Sequence, residues 1–183
     1  ECSNMLAVKS YPTDEAYNNR GIALAGKGQY DKAVEDYTHA VELDPEFSKA
    51  FNNRGNAYWH LGKHTESIKD YKRAIEIEPS LADAHMGYSI FLSVMGRYSD
   101  ALDEARTVRR LDPAGLPGAL HAAAVHYNAR RYDAALAELE EAKKIDPNSS
   151  QRWMWRGMVL AGSGHFGDAV DRPPREEREA VDE

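Results

Sequence analysis

The sequence is poor in several features that would each point to a function. Its 183 residues include one cysteine, Cys2, so no disulfide can form within the chain. A lone cysteine fits a reducing compartment, but many exported proteins also lack disulfides, so the compartment stays open between cytoplasm and export. Long apolar runs are missing. None approaches the roughly 18 residues of a membrane-spanning helix, and no membrane insertion is expected. Basic residues are outnumbered, 23 Lys and Arg against 30 Asp and Glu, for a formal net charge of −7. That balance argues against nucleic acid as a partner, because such binding draws on cationic neutralisation of phosphates, and against a polybasic membrane anchor. Apolar residues are not scarce: 42% of the chain is hydrophobic, enough to bury a core rather than stay disordered. The length suits one domain or one repeat array.

A repeat is present. Pro45, Pro79, Pro113 and Pro147 follow one another at intervals of 34 residues, each preceded by an acid: Asp44, Glu78, Asp112 and Asp146. With Pro45 as position 32, position 1 falls on Asp14. Position 8 is then always small: Gly21, Gly55, Ser89, Ala123 and Gly157. So is position 20: Ala33, Ser67, Ala101, Ala135 and Ala169. Position 17 is a ring throughout: Tyr30, His64, Tyr98, Tyr132 and Phe166. Position 15 is Gly28, Gly62, Gly96, Arg130 and Gly164.

Each unit reads as two helices, over about positions 1–14 and 18–31. The position-15 glycine supplies the positive φ that ends the first helix cheaply. Asp31, Thr65, Ser99 and Asp133 are expected as N-caps of the second helix. The acid–proline pair ends that helix, since proline disfavours helical geometry in the residue before it. One hairpin cannot bury its apolar face alone, so the units must stack.

These residues resemble the tetratricopeptide repeat. Tyr17, Phe51 and Trp153 match its bulky position 4, and Leu24, Tyr58, Leu92 and Leu160 its position 11, while His85, Ala119 and His126 depart from it. The resemblance implies an all-α fold, a right-handed superhelix of stacked antiparallel helix pairs with four full repeats and a partial fifth. The repeats would span residues 14–47, 48–81, 82–115, 116–149 and, in part, 150–171. Residues 1–13 read either as a leader or as the tail of a preceding helix, since Ala7 and Pro12 keep the spacing of Ala40 and Pro45. Pro173 and Pro174 should stop the last helix near Asp171, leaving residues 172–183 as a polar tail or short capping helix.

In tetratricopeptide-repeat proteins the first helices line a concave groove that binds other proteins. Carried over by position, that groove would display Asn18, Asn19, Asn52, Asn53, Asn56 and Trp59 from repeats 1 and 2. Repeats 3 to 5 would add Met86, Ile90, Tyr127, Met154, Trp155 and Met158. Asparagine offers donors and an acceptor to a peptide backbone, and Met and Trp supply large adaptable contact area. Only Asn19 and Asn53 match the position-6 asparagine with which some family members grip peptides; Gly87, His121 and Trp155 depart from it. The family's carboxylate clamp of lysines and asparagines is not matched: Asn18, Ile22, Asp83 and Gly87 stand at four of its positions, and only Asn53 fits. Arg20 with Asp36, and Arg54 with Asp70, are expected to form ion pairs inside their hairpins.

Catalytic and metal patterns are weak. Gly162-Ser-Gly-His-Phe-Gly167 has G-x-G-x-x-G spacing, but it falls between two helices with no strand before it. His60 and His64 straddle Gly62 at a helix end, and His121 and His126 do not share a helix face. Neither pair resembles a zinc site. Cys2 has no fixed base nearby, and Glu140-Glu141 reads as a solvated helix face. No cofactor and no metal are expected, and the chain is not read as an enzyme. The expectation is a scaffold binding a peptide or helical segment of another protein in the groove. The alternatives are self-assembly to a homo-oligomer through the array ends or the Met/Trp face of repeat 5, and a regulatory fragment of a longer protein.

Overall fold

Every local feature of the chain is arranged around two kinds of joint, a glycine turn and an acid–proline break. The computed structural model describes residues 12–165. The leader with Cys2, and the close of the fifth repeat with Ala169, Arg172, Pro173, Pro174 and the tail 172–183, lie outside the described residues. Among the described residues there are nine helices and no strand: α1 (Asp14–Gly26), α2 (Tyr30–Leu43), α3 (Ser48–His60), α4 (His64–Ile77), α5 (Ala82–Val94), α6 (Tyr98–Leu111), α7 (Leu116–Asn128), α8 (Tyr132–Ile145) and α9 (Ser150–Gly162). Contacts divide them into two units, residues 1–79 carrying α1–α4 and residues 80–183 carrying α5–α9.

The glycine turn is a Schellman motif, repeated five times. After α1 the Gly28 N–H donates to Ala25 O at 2.9 Å and the Gln29 N–H to Leu24 O at 3.0 Å. The same two bonds recur after α3, α5, α7 and α9, where Lys63, Arg97, Arg131 and His165 donate back to Tyr58, Leu92, His126 and Leu160. The residue at the pivot has φ of 74°, 71°, 75° and 87° at Gly28, Gly62, Gly96 and Gly164, and 56° at Arg130.

This turn corrects the expected caps. The second helices begin at Tyr30, His64, Tyr98 and Tyr132, with Gln29, Lys63, Arg97 and Arg131 at the cap and no side-chain cap bond. The residue that closes the turn is itself the first flank of the next helix, so the helix starts two residues earlier than the capping residues suggested. Asp31, Thr65, Ser99 and Asp133 instead occupy the first turn. There Asp31 and Asp133 oppose the positive end of the helix dipole.

The second joint is as expected. α2, α4, α6 and α8 each stop one residue before the acid, and Asp44, Glu78, Asp112 and Asp146 are non-helical with φ between −129° and −140°. The aspartates do more than precede proline. Asp44 and Asp146 accept the backbone N–H of Glu46 and Asn148 at 2.9 and 3.0 Å, folding the link into the next helix.

Packing within each hairpin follows a size rule between positions 8 and 24. In unit 1 a tyrosine meets a glycine: a Cβ on Gly21 would lie 2.6 Å from the Tyr37 ring, and one on Gly55 3.1 Å from Tyr71. In unit 2 the position-8 residue is larger and the position-24 residue smaller, Ser89 with Ala105 and Ala123 with Leu139, all buried. Serines in these tight crossings bond to the facing backbone, Ser67 Oγ to Gly55 O at 2.9 Å and Ser89 Oγ to Ala101 O at 2.6 Å. Within unit 1, α2 also packs on α3; within unit 2, α6 packs on α7 and α8 on α9.

Candidate functional site

In unit 1 the first helices are held by the ion pairs that their sequence positions predict. Arg20 is bidentate to Asp36, with both bonds at 2.6 Å, and Arg54 is bidentate to Asp70 at 2.7 and 2.9 Å. The acids are buried in both, but the cations differ: the Arg20 side chain is 62% exposed and that of Arg54 15%. Arg54 also donates to Thr38 Oγ1 and lies over the rings of Phe51 and Tyr58. Burial works against its charge. The hydrogen bond and charge of Asp70 outweigh that, and the guanidinium is held above its ordinary pKa.

With α1 and α3 fixed in this way, the asparagines separate into two classes. Asn18 and Asn52 are buried, 6% and 5% exposed, which corrects their expected place on an open groove. Asn18 Oδ1 accepts from Asn53 Nδ2 at 2.9 Å, so the first pair of facing asparagines is spent on joining repeat 1 to repeat 2. The Asn52 Oδ1 has no hydrogen-bond partner among the described residues. Asn19 and Asn56 are exposed, and Asn53 and Trp59 are half-buried. Asn56 Oδ1 accepts from the Tyr71 hydroxyl at 2.7 Å. Burial pushes that phenol up to about 12 despite an opposing hydrogen bond with Ser67, so it stays a donor across the working pH range.

A cleft of about 250 Å³ opens on this face, lined by Ile22, Ala25, Tyr30, Tyr37, Asn53, Asn56, Ala57 and His60. One wall is a parallel stack of Tyr30 and His60, ring centroids 4.3 Å apart. Asn53 and Asn56 were legible from their repeat positions. Tyr30, Tyr37 and Ala57 were not singled out; Tyr37 and Ala57 are each 2% exposed and lie at the base of the opening between α1 and α3.

The predicted residues of unit 2 are divided between surface and core. Ile90, Met154 and Met158 are exposed at 41%, 55% and 40%. Met86, Tyr127 and Trp155 are half-buried. Tyr127 and Trp155 are packed edge-on at 6.0 Å, and both lie against the core cluster of Leu120, Leu139 and Val159. Sequence reasoning missed Val94 and Met95, exposed at 62% and 58% at the end of α5. At position 6, His121 takes the place of the asparagines and bonds through Nε2 to Ser89 Oγ at 2.7 Å. Since that hydroxyl donates to Ala101 O, the imidazole donates to it, and burial pushes the His121 pKa down to about 4. Arg152 is 1% exposed, donating to Pro147 O at 2.7 Å and lying 4.2 Å above the Trp153 ring. Among the described residues no group of three His, Cys, Asp or Glu is close enough to hold a metal, and no helix is long and apolar enough to cross a membrane.

The comparisons agree with this geometry. Tetratricopeptide-repeat family models match residues 14–47, 48–81 and 92–150. No curated protein matches the sequence. Among solved structures, the chain is similar to TTC0263, a thermophilic TPR protein of Thermus thermophilus, at TM-score 0.73 and 18% identity over 93% of this chain and 96% of that one. It is also similar to MamA 41-end from Desulfovibrio magneticus RS-1, at TM-score 0.71 and 14% identity over 92% of both chains. A further MamA crystal structure gives 0.68 at 19% identity, over 86% of each chain. At these identities the likeness is one of fold. With a period of 34 residues, five identical turns and family matches over most of its length, the chain belongs to the tetratricopeptide-repeat family of protein-interaction scaffolds.

Proposed function

We propose that the chain is a non-catalytic scaffold and that the α1–α3 face of its first unit binds a peptide or helical segment of a partner protein. The observation that carries this reading is the cleft beside Asn53 and Asn56, where amide groups border an apolar floor. A preformed surface on packed helices lowers the ordering cost of capturing a chain. The test is retention of partners from the source cell's lysate by wild type and Asn53→Ala, each checked for helicity by circular dichroism. One protein kept by wild type and lost by Asn53→Ala supports the reading. Equal retention by both overturns the assignment to this face.

A second reading is self-assembly through α9, favoured by the exposure of Met154 and Met158 one turn apart. Sedimentation against concentration decides it. A mass that rises with concentration in wild type, and stays that of a monomer in Met154→Ser/Met158→Ser, supports assembly. A constant monomer mass in wild type removes it.

A further inference from the structure

A second face of unit 1 carries chemistry that the cleft beside Asn53 and Asn56 does not use. The helical period sets Phe51 and Arg54 on the side of α3 away from Asn53, Asn56 and His60. On that side a cleft of about 430 Å³ opens between α3 and α4, with Phe51 and Arg54 on one wall and Lys69, Asp70, Lys72, Arg73 and Glu76 on the other. We infer that this cleft binds an extended acidic segment of a partner protein, with carboxylates at alternate positions beside an apolar residue. The two clefts are separate sites, and either can bind without the other.

Charge selects the occupant. Four cations line this cleft against two acids, in a chain whose formal net charge is −7. The equivalent positions of the other repeats hold no such excess. Repeat 1 sets Arg20 against Glu35, Asp36 and Glu42, and repeat 4 sets Lys144 against Glu138, Glu140 and Glu141. In repeat 3, Arg106 and Arg110 are balanced by Asp103 and Glu104. The basic cleft therefore belongs to the second hairpin alone among repeats 1 to 4, and the repeat pattern does not account for it.

Its cations are unequally engaged. Arg54 is largely buried and bidentate to Asp70, so that pair cancels its own charge and forms part of the wall. Exposed Lys69 has no hydrogen-bond or ion-pair partner among the described residues. Arg73 reaches Glu46 at 2.7 Å and Glu76 at 3.6 Å, but the side chains of those acids are 71% and 66% exposed. Exposed pairs of this kind contribute little, so Arg73 can exchange them for a ligand carboxylate at small cost.

Spacing selects the form of the ligand. Lys69 and Arg73 stand one turn apart on α4, which separates them by about 6 Å along the helix. Alternate side chains of an extended chain point the same way at about 6–7 Å, so two carboxylates at such positions meet both cations. The half-buried ring of Phe51 and the methylene stems of the lysines give a neighbouring aliphatic side chain a surface to cover.

The experiment uses the full 183-residue chain, labelled with nitrogen-15, and a blocked probe, Ser-Leu-Ser-Glu-Ser-Glu-Ser-Leu-Ser, beside versions with both Glu replaced by Gln or by Lys. Backbone amide signals are followed by NMR titration. The Glu probe should shift the amides of residues 69–76 saturably and bind at least about fivefold more tightly than the Gln probe in low salt. Most of that preference should vanish at about 0.3 M salt. Lys69→Glu changes an exposed residue. It should weaken the Glu probe and strengthen the Lys probe, a reversal that loss of structure cannot produce. Arg73→Gln should weaken the Glu probe and leave the Gln probe unchanged. Equal binding of the Glu and Gln probes overturns the charge selection. Shifts centred on Asn53, Asn56 and His60 overturn the location and support the other cleft. Inorganic phosphate acting on residues 69–76 as tightly as the Glu probe overturns the peptide in favour of a free anion. No shift in α4 overturns this site and leaves the reading of the Asn53 cleft as it stands.

Discussion

Exchanging the residues at the turn pivots should move stability in opposite directions at two equivalent places. At Gly62 the backbone has φ 71°, and an added Cβ would meet nothing within 4 Å. Gly62→Ala is therefore a clean backbone perturbation with no packing contribution. Holding an L-residue in the left-handed region costs about 1–2 kcal/mol. Reduced freedom of the unfolded chain returns about 0.4–1 kcal/mol. The net is a loss of about 1 kcal/mol. Arg130 occupies the same pivot with φ 56° and is exposed, so Arg130→Gly should gain a similar amount. Urea unfolding followed by circular dichroism measures both, read as midpoint shifts at constant slope. Because neighbouring repeats in an array can unfold separately, amide exchange in α7 and α8 should report the Arg130→Gly gain locally. A neutral Gly62→Ala, or a destabilised Arg130→Gly, would refute the claim that the pivot conformation is what selects glycine here.

Three further outcomes are expected. Asp70→Ala leaves Arg54, largely buried and packed between two rings, without its carboxylate, and should cost about 3–5 kcal/mol in urea unfolding; Asp36→Ala should cost clearly less, because Arg20 can turn to solvent. His121 titrates near 4 in the folded chain against an ordinary value of 6.5, so its neutral form favours folding fully above about pH 6.5, and that stability is lost as the pH falls toward 4; the loss should reach about 3 kcal/mol. His121→Asn should flatten much of this acid limb in urea midpoints taken between pH 7 and pH 4.5, leaving the contribution of His126, whose pKa burial also lowers. Gly21→Ala forces a Cβ to 2.6 Å from the buried Tyr37 ring where Gly55→Ala reaches only 3.1 Å from Tyr71, so thermal melts should show it the more damaging by about 1 kcal/mol.

Repeat position fixed which helix face each residue takes, but not which residues on that face are buried. Asn53 and Asn56 could be placed on the α1–α3 face by counting from Pro45, because a period of 34 fixes which side of a helix each position takes. Counting could not separate Asn18 from Asn19. Both read as groove residues, yet Asn18 is buried and bonded to Asn53 of the next repeat. The periodicity reports a residue's place on its own helix, whereas burial depends on what the adjacent repeat sets opposite it. The same limit hid Trp155, which reads as a free binding residue but packs edge-on against Tyr127. It also hid the cleft, whose lining includes the buried residues Tyr37 and Ala57.

The amino-acid order alone therefore determined the helices, their two kinds of joint and the hairpin ion pairs. These are local or near-local consequences of glycine at a positive φ, proline after an acid, and opposite charges sixteen residues apart at Arg20–Asp36 and Arg54–Asp70. Tertiary structure decided which of these polar groups are already paired inside the protein. Hydrogen-bond capacity is shared across and within repeats: Asn18 takes one end of Asn53 across the repeat boundary, and Tyr71 takes one end of Asn56 inside its own repeat.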